Sequence, residues 1–294
     1  MNDYLKKLRL KLLRESDTIE NNPFSIDDIA MFSEDSRNDI TAIAYKPAIA
    51  YDVIMKYYEG EMAKADPDDS DKMRRNAASF QLSFAMARKD NYLKNKLLGS
   101  IVAMINIKQA EKPCNDAWEV KLAAAEPGFG KLAYSMGYQL SPSGMLMPDR
   151  HTISYDAVNA WKNVRKKSEG IPLDDINHRS DLFHDEHHTA STKDDCETWS
   201  VFQGPEIENQ EKSGVFYPGV PRGREKLVDF ATADAINRSY AMGDMGYDLN
   251  LLQNNHLKLE EELGNLRLDG SVFETMMLST GIIFFSTKYR KHQS

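Results

Sequence analysis

Trp118-Glu-Val-Lys-Leu-Ala-Ala-Ala125 runs into Glu126-Pro-Gly-Phe-Gly130 and then into Lys131-Leu-Ala-Tyr-Ser-Met-Gly-Tyr-Gln-Leu140, and the reading of this stretch decides the fold. The first part is apolar and of strand length, the second sets two glycines around an aromatic, and the third spaces its apolar residues as a helix does. A strand that breaks on glycine into a helix aims unpaired backbone N–H groups, with the positive end of the helix dipole, at the space above the turn. A phosphate or pyrophosphate suits such a place. Further on, Gly144-Met-Leu-Met-Pro-Asp149-Arg150 reads as a second short strand, and Ser154 is placed to cap a helix running through Ala157 to Trp161.

Working outward, Ile40 to Ala50 and Leu97 to Ile107 read as strands, the second almost continuously apolar as a central strand is. Between them, Tyr51 to Lys64 and Met73 to Arg88 have helical spacing, joined by the acidic turn Ala65-Asp-Pro-Asp-Asp-Ser-Asp71. Strands therefore alternate with helices from Ile40 to Val164, which predicts an α/β core: a mixed sheet flanked by helices, over residues 25–167. Ahead of it, Tyr4 to Arg14 places Leu5, Leu8 and Leu12 on one face, predicting an N-terminal helix within 1–24. From 168 to 224 periodicity is lost while Trp199, Phe202, Phe216 and Tyr217 persist, the pattern of an irregular arm that wraps a neighbour. Helical spacing returns over Glu225 to Leu263 and Gly270 to Tyr289, the latter carrying Val272, Phe273, Met276, Met277 and Ile283 on one broad stripe. Residues 225–294 are thus expected as a helical C-terminal extension, and there is no internal repeat.

Composition narrows the partners. The chain has 294 residues, 41% hydrophobic and 28% charged, with a formal net charge of −8 that disfavours a broad grip on nucleic acid. Its longest strongly apolar stretch, Gly281 to Phe285, is too short to cross a membrane, and the charged start Met1-Asn-Asp-Tyr-Leu-Lys-Lys-Leu-Arg9 lacks the apolar segment of a signal peptide. Cytoplasmic synthesis is the expectation. Two cysteines, Cys114 and Cys196, argue against a disulfide framework.

Three readings of the glycine turn stay open on the residues alone. Gly128-Phe-Gly130-Lys-Leu-Ala133 fits the dinucleotide fingerprint G-x-G-x-x-A, with Asp149 at the end of the next strand, yet no further strand-helix alternation follows to build a doubly wound sheet. A purely structural turn is the second reading. The third is an acyl-coenzyme A site: the order of elements, with Gly128 and Gly130 at two small positions of a loop leaving a strand, resembles the GNAT acyltransferase superfamily. More narrowly, Pro127 to Tyr134, Pro148-Asp-Arg150 with Ile153-Ser154, Ala157 to Trp161, Pro172-Leu-Asp-Asp175, Asp194-Asp-Cys196 and Phe284 to Tyr289 together resemble a GNAT-like family of tailed bacteriophages.

That resemblance implies a GNAT-like fold, acetyl-coenzyme A or another acyl-coenzyme A as cofactor, and N-acyl transfer to an unidentified amine in the host cytoplasm. Glu126, Gly128, Phe129, Gly130 and Lys131 are the residues it places around the pyrophosphate. An acceptor amine must lose a proton before attacking the thioester, and Glu119, Asp149 and His151 are the candidate bases near the cleft. Two positions depart from the superfamily pattern: Ala125 stands where the loop has Arg or Gln, and Trp161 where many members have the Tyr that protonates the departing thiolate. The alternative expectation is therefore a catalytically inactive GNAT-fold structural or interaction component of the virion. Helical spacing of Ala157, Ala160, Trp161 and Val164 makes Trp161 a core residue, and Tyr134 with Tyr138 forms an i, i+4 packing pair. His178, His184, His187 and His188 crowd among acidic residues, but with one nearby cysteine and no paired spacing they read as a solvated or partner-facing loop, and no metal site is expected. No G-x-S-x-G nucleophile elbow is present.

Overall fold

The computed structural model describes residues 26–109, 116–149, 155–168, 170–172, 238–241 and 246–291. Strands β1 (Ala30–Ser36), β2 (Asp39–Tyr45), β3 (Ile101–Gln109) and β4 (Trp118–Ala125) form an antiparallel run. Next to β4 lies β5 (Met145–Pro148), parallel to it, and β7 (Arg238–Ala241) pairs antiparallel with both β5 and the two-residue β6 (Ile171–Pro172). The order across the sheet is β1-β2-β3-β4-β5-β7-β6. A mixed sheet flanked by helices is thus present, while the antiparallel β3/β4 pair rules out the doubly wound sheet that a dinucleotide fingerprint requires.

The sheet is covered on both faces. One face, with Met31, Ala42, Ile105, Trp118 and Val120, packs against α4 (Gly130–Leu140) and α5 (Tyr155–Arg165). The other, with Phe32, Ile43, Tyr45 and Met104, packs against α1 (Pro47–Lys64), α2 (Asp71–Ala87), α3 (Asn91–Leu97) and α7 (Gly270–Lys291). Helix α6 (Leu249–Asn265) serves both clusters, giving Leu249 and Leu252 to the first and Leu259 and Leu263 to the second. It also lies along edge strand β1, where the Asn255 amide donates to the carbonyls of Asp27 (3.0 Å) and Ile29 (2.9 Å). Carbonyls leading into the edge strand are thereby engaged by a side chain rather than left as a template for another chain.

Local chemistry moves several boundaries from where periodicity alone sets them. The strand expected to reach Ala50 ends at Tyr45, because Pro47 fixes the first residue of α1 and supplies no donor to a ladder. Leu97 and Leu98, expected in β3, instead close α3 and a 3-10 turn; the Asp90 carboxylate caps α3 by accepting from the amides of Tyr92 (2.9 Å) and Leu93 (3.0 Å). Strand β7 sits inside the run Glu225 to Leu263 that helical spacing predicts as helix, and β6 lies inside the stretch predicted as irregular. The C-terminal helices are layers of the core, with Phe273, Met276 and Met277 fully buried. The N-terminal helix, Ser154, both cysteines, the histidine cluster and the arm aromatics all lie outside the described residues.

Two bulges shape the centre of the sheet. In β3 the register passes from Ala44↔Ala103 to Tyr45↔Ile101, so Val102 is the extra residue; in β4 it passes from Asn106↔Leu122 to Ile107↔Val120, so Lys121 is. A bulge bends its strand and reverses the alternation beyond it. Trp118 and Val120 accordingly share one face with Ala123 and Ala125, whereas Ala124 packs on the other. Strict period-two alternation along β4, which would keep even-numbered residues on one face throughout, fails at Lys121.

Candidate functional site

The β4–α4 turn is built as the sequence predicts. Glu126 N–H donates to Val102 O (2.8 Å), Phe129 N–H returns to Glu126 O (3.0 Å), and Gly128 has φ +89°, a left-handed conformation that side chains resist. Phe129 occupies the N-cap of α4 with no side-chain acceptor to offer. Ala133 N–H reaches Phe129 O at 3.2 Å, but the amides of Gly130, Lys131 and Leu132 meet no acceptor among the described residues. By contrast α2, α3 and α6 are capped by Ser70, Asp90 and Asp248. No acidic residue sits in the first turn of α4, and the space where a Cβ would stand on Gly128 or Gly130 is open to 4 Å. Three free amides, the dipole and Lys131 together favour an anion here.

The other proposed cofactor contacts divide. Glu126 engages Lys288 of α7 at 2.8 Å, so its backbone rather than its carboxylate shapes the turn. Its charge also bears on Lys46, whose pKa is lowered by burial, with Glu126 opposing that shift. Phe129 packs against the core on the α4 face.

Beside the turn, β4 runs on past the end of β5. Their ladder covers Trp118↔Leu146, Glu119↔Met147 and Val120↔Pro148, and among the described residues the rest of β4 has no β5 partner. Two features end the pairing: Pro148 has no N–H to give, and the bulge at Lys121 bends β4 at the next residue. The register also brings Asp149 level with Lys121. The Lys121 ammonium lies 2.7 Å from Glu119 Oε2 and 3.3 Å from Asp149 Oδ2, with Glu119 8% and Asp149 7% exposed. Burial works to lower the Lys121 pKa, but the hydrogen bonds and charges of Glu119 and Asp149 outweigh it and hold it raised above 10.5. Two of the three candidate bases are therefore brought together and bridged by one cation; His151 lies outside the described residues.

Lys121 is the residue the sequence reading passed over. Its spacing of two from Glu119 on a strand was the available signal, since i and i+2 share a face. Trp161 is 1% exposed, stacked on Tyr240 and edge-on to Tyr134, each at 5.5 Å between ring centroids, so it belongs to the core as its helical spacing predicts. Burial pushes the phenols of Tyr134 and Tyr138 well above their usual range, with neighbouring tyrosines adding to the effect on Tyr138. Neither is an acid suited to giving up a proton near neutrality. Comparison with family models, curated proteins and solved structures finds no match to this chain.

Proposed function

We propose that the protein is a GNAT-like acyl-coenzyme A-dependent N-acyltransferase, with pyrophosphate held on the amides at the start of α4 and pantetheine lying along the part of β4 that runs past β5. The observation that carries this reading is one of adjacency: the parallel ladder stops at Val120↔Pro148, and β4 runs on from there straight into the uncapped, glycine-led helix. Gly128, Gly130 and Lys131 supply the anion contacts, and the acceptor amine approaches Glu119 and Asp149. A resident ammonium at Lys121 lets the pair share one positive charge while either carboxylate takes the amine's proton.

The second reading, a non-catalytic GNAT-fold component of a tailed-phage virion, is favoured by that same ion-pair geometry, because Lys121 already occupies the carboxylate oxygens that an acceptor amine would have to reach. Calorimetric titration of the full chain with acetyl-coenzyme A separates the two. The acyltransferase reading expects saturable binding that Gly130→Val weakens strongly by filling the open approach, while Lys131→Ala costs about 1 kcal/mol as an exposed charge contact does. No saturable heat with the unmutated chain leaves the structural reading.

A further inference from the structure

Away from the turn, α6 and α7 enclose a second group of polar side chains at the β1/β2 end of the sheet. His256 and Glu260, four apart on α6, face Glu274 on α7. The imidazole is held by its neighbours: Phe32 stacks on it at 5.2 Å and Phe273 at 6.4 Å between ring centroids, and Nδ1 lies 2.7 Å from the hydroxyl of fully buried Tyr45. Its Nε2 points at carboxylates, 3.1 Å from Glu274 Oε1 and 3.8 Å from Glu260 Oε1. One donor atom from each of the three residues falls within 4.8 Å of the others.

The charge balance of this group is wrong for a purely internal hydrogen-bond network. No lysine or arginine pairs with Glu260 or Glu274 among the described residues, and the charges acting on Glu274 are the further carboxylates of Glu34 and Asp269. Two carboxylates therefore converge on one imidazole nitrogen with no lysine or arginine between them among the described residues, and both remain partly open to solvent.

The geometry points to a binding site for a divalent first-row transition metal, zinc or a metal of similar preference, held by His256 Nε2, Glu260 and Glu274, with its remaining positions open to water. One imidazole and two carboxylates are a donor set such ions accept, at bonds of about 2.0–2.2 Å. The two Nε2–carboxylate separations already suit edges of such a polyhedron, and a small rotation of the exposed carboxylates closes it. Facing a carboxylate, Nε2 carries the ring proton when the site is empty and Nδ1 accepts from Tyr45 O–H. When the metal takes the place of that proton, the ring proton sits on Nδ1, whose N–H donates a hydrogen bond to the Tyr45 oxygen, and the tyrosine orients the ring from behind. Gly270 has a part as well: a Cβ there would collide with the Glu260 carboxylate, so only glycine at the start of α7 leaves Glu260 in place. The bound ion would tie α6 to α7.

The test uses the full chain, stripped with chelator and titrated with Co²⁺, whose visible absorption reports nitrogen and carboxylate ligation. The expected result is saturable uptake of one ion per chain with visible bands, and a rise in melting temperature that chelator reverses. Glu260→Gln/Glu274→Gln, exposed enough to fold normally by circular dichroism, abolishes the bands; Tyr45→Phe weakens binding by about 10–100-fold as loss of an orienting partner does. Gly270→Ala, which keeps every donor but displaces Glu260, weakens it too. Absence of bands with the unmutated chain overturns the proposal, and so do bands that persist in the double variant, which would assign the ion to other histidines.

Discussion

Lys121→Met is the substitution whose cost the structure fixes most directly. The ammonium it deletes stands 2.7 Å from one buried carboxylate and 3.3 Å from another. At an effective dielectric of about 20 these separations correspond to gross attractions of about 6 and 5 kcal/mol, most of which desolvation of the three groups offsets. What remains after deletion is two carboxylates, Glu119 and Asp149, buried side by side without their shared cation. Removing one partner of a buried pair costs about 3–5 kcal/mol, and since Lys121 keeps 31% of its side chain in solvent the expected loss is nearer about 2–3 kcal/mol. Methionine preserves most of the volume of the aliphatic stem, so packing adds little. Urea unfolding near neutral pH measures the loss, and two companions isolate its cause: the deficit narrows on acidification, when a proton can replace the lost ammonium, and Glu119→Gln in the Lys121→Met background recovers part of it. A loss under about 0.5 kcal/mol, the size of an exposed pair, with no dependence on pH, would refute the view of this triad as a buried charge cluster.

The same lysine makes the wild-type protein sensitive at the alkaline end: its folded pKa is raised above 10.5, so its stabilisation is complete below that value and lost as pH climbs through the folded pKa, which an alkaline unfolding series checks. Asp90→Ala removes the two capping bonds at the start of α3 and lowers stability by about 1 kcal/mol in urea unfolding. Gly137→Ala brings a methyl within 2.7 Å of Ile105 Cδ1 and 2.9 Å of Leu146 Cδ1, where α4 presses on the sheet, and the overpacking costs about 1–3 kcal/mol by the same assay.

Much of the central unit is legible in the chain because each signal is local. Glycines at 128 and 130, Pro127 and the apolar run before them announce strand, turn and helix without reference to anything distant, and Met145 to Pro148 is bracketed by Gly144 and its own proline. Elements that depend on partners are another matter. Arg238-Ser-Tyr-Ala241 is too short to show any period, and it becomes a strand because β5 and β6 present edges to it. Strand β1 shows no alternation, since Ala30, Met31 and Phe32 are buried in succession, and its polar second half is held by pairing with β2. Asp90 followed by Asn91 was a readable cap, overridden by the stronger apolar signal of Leu97 to Ile107. Within the site, Glu119 and Asp149 could be picked as acidic groups near strand ends, but their meeting at Lys121 is a property of register and of a bulge, and register is set between strands.

The place of β7 carries a consequence for how the molecule is made. Its four residues lie between β5 and β6 although they come some ninety residues after β5 in the chain, as the pairing of Leu146 with Tyr240 shows. During synthesis, β5 is therefore extruded long before the strand that covers its outer edge, and the α7 side chains that seal the other face of β3 and β4 emerge later still. Until then a nascent chain ending near Arg165 has β5 without its β7 partner and an apolar face that α1, α2 and α3 cover only in part, conditions under which β-proteins associate wrongly. Truncations that stop short of residue 241 should accordingly accumulate as aggregates, and the chain should fold late and all together, β7 and α7 acting as the keystone for strands made before them.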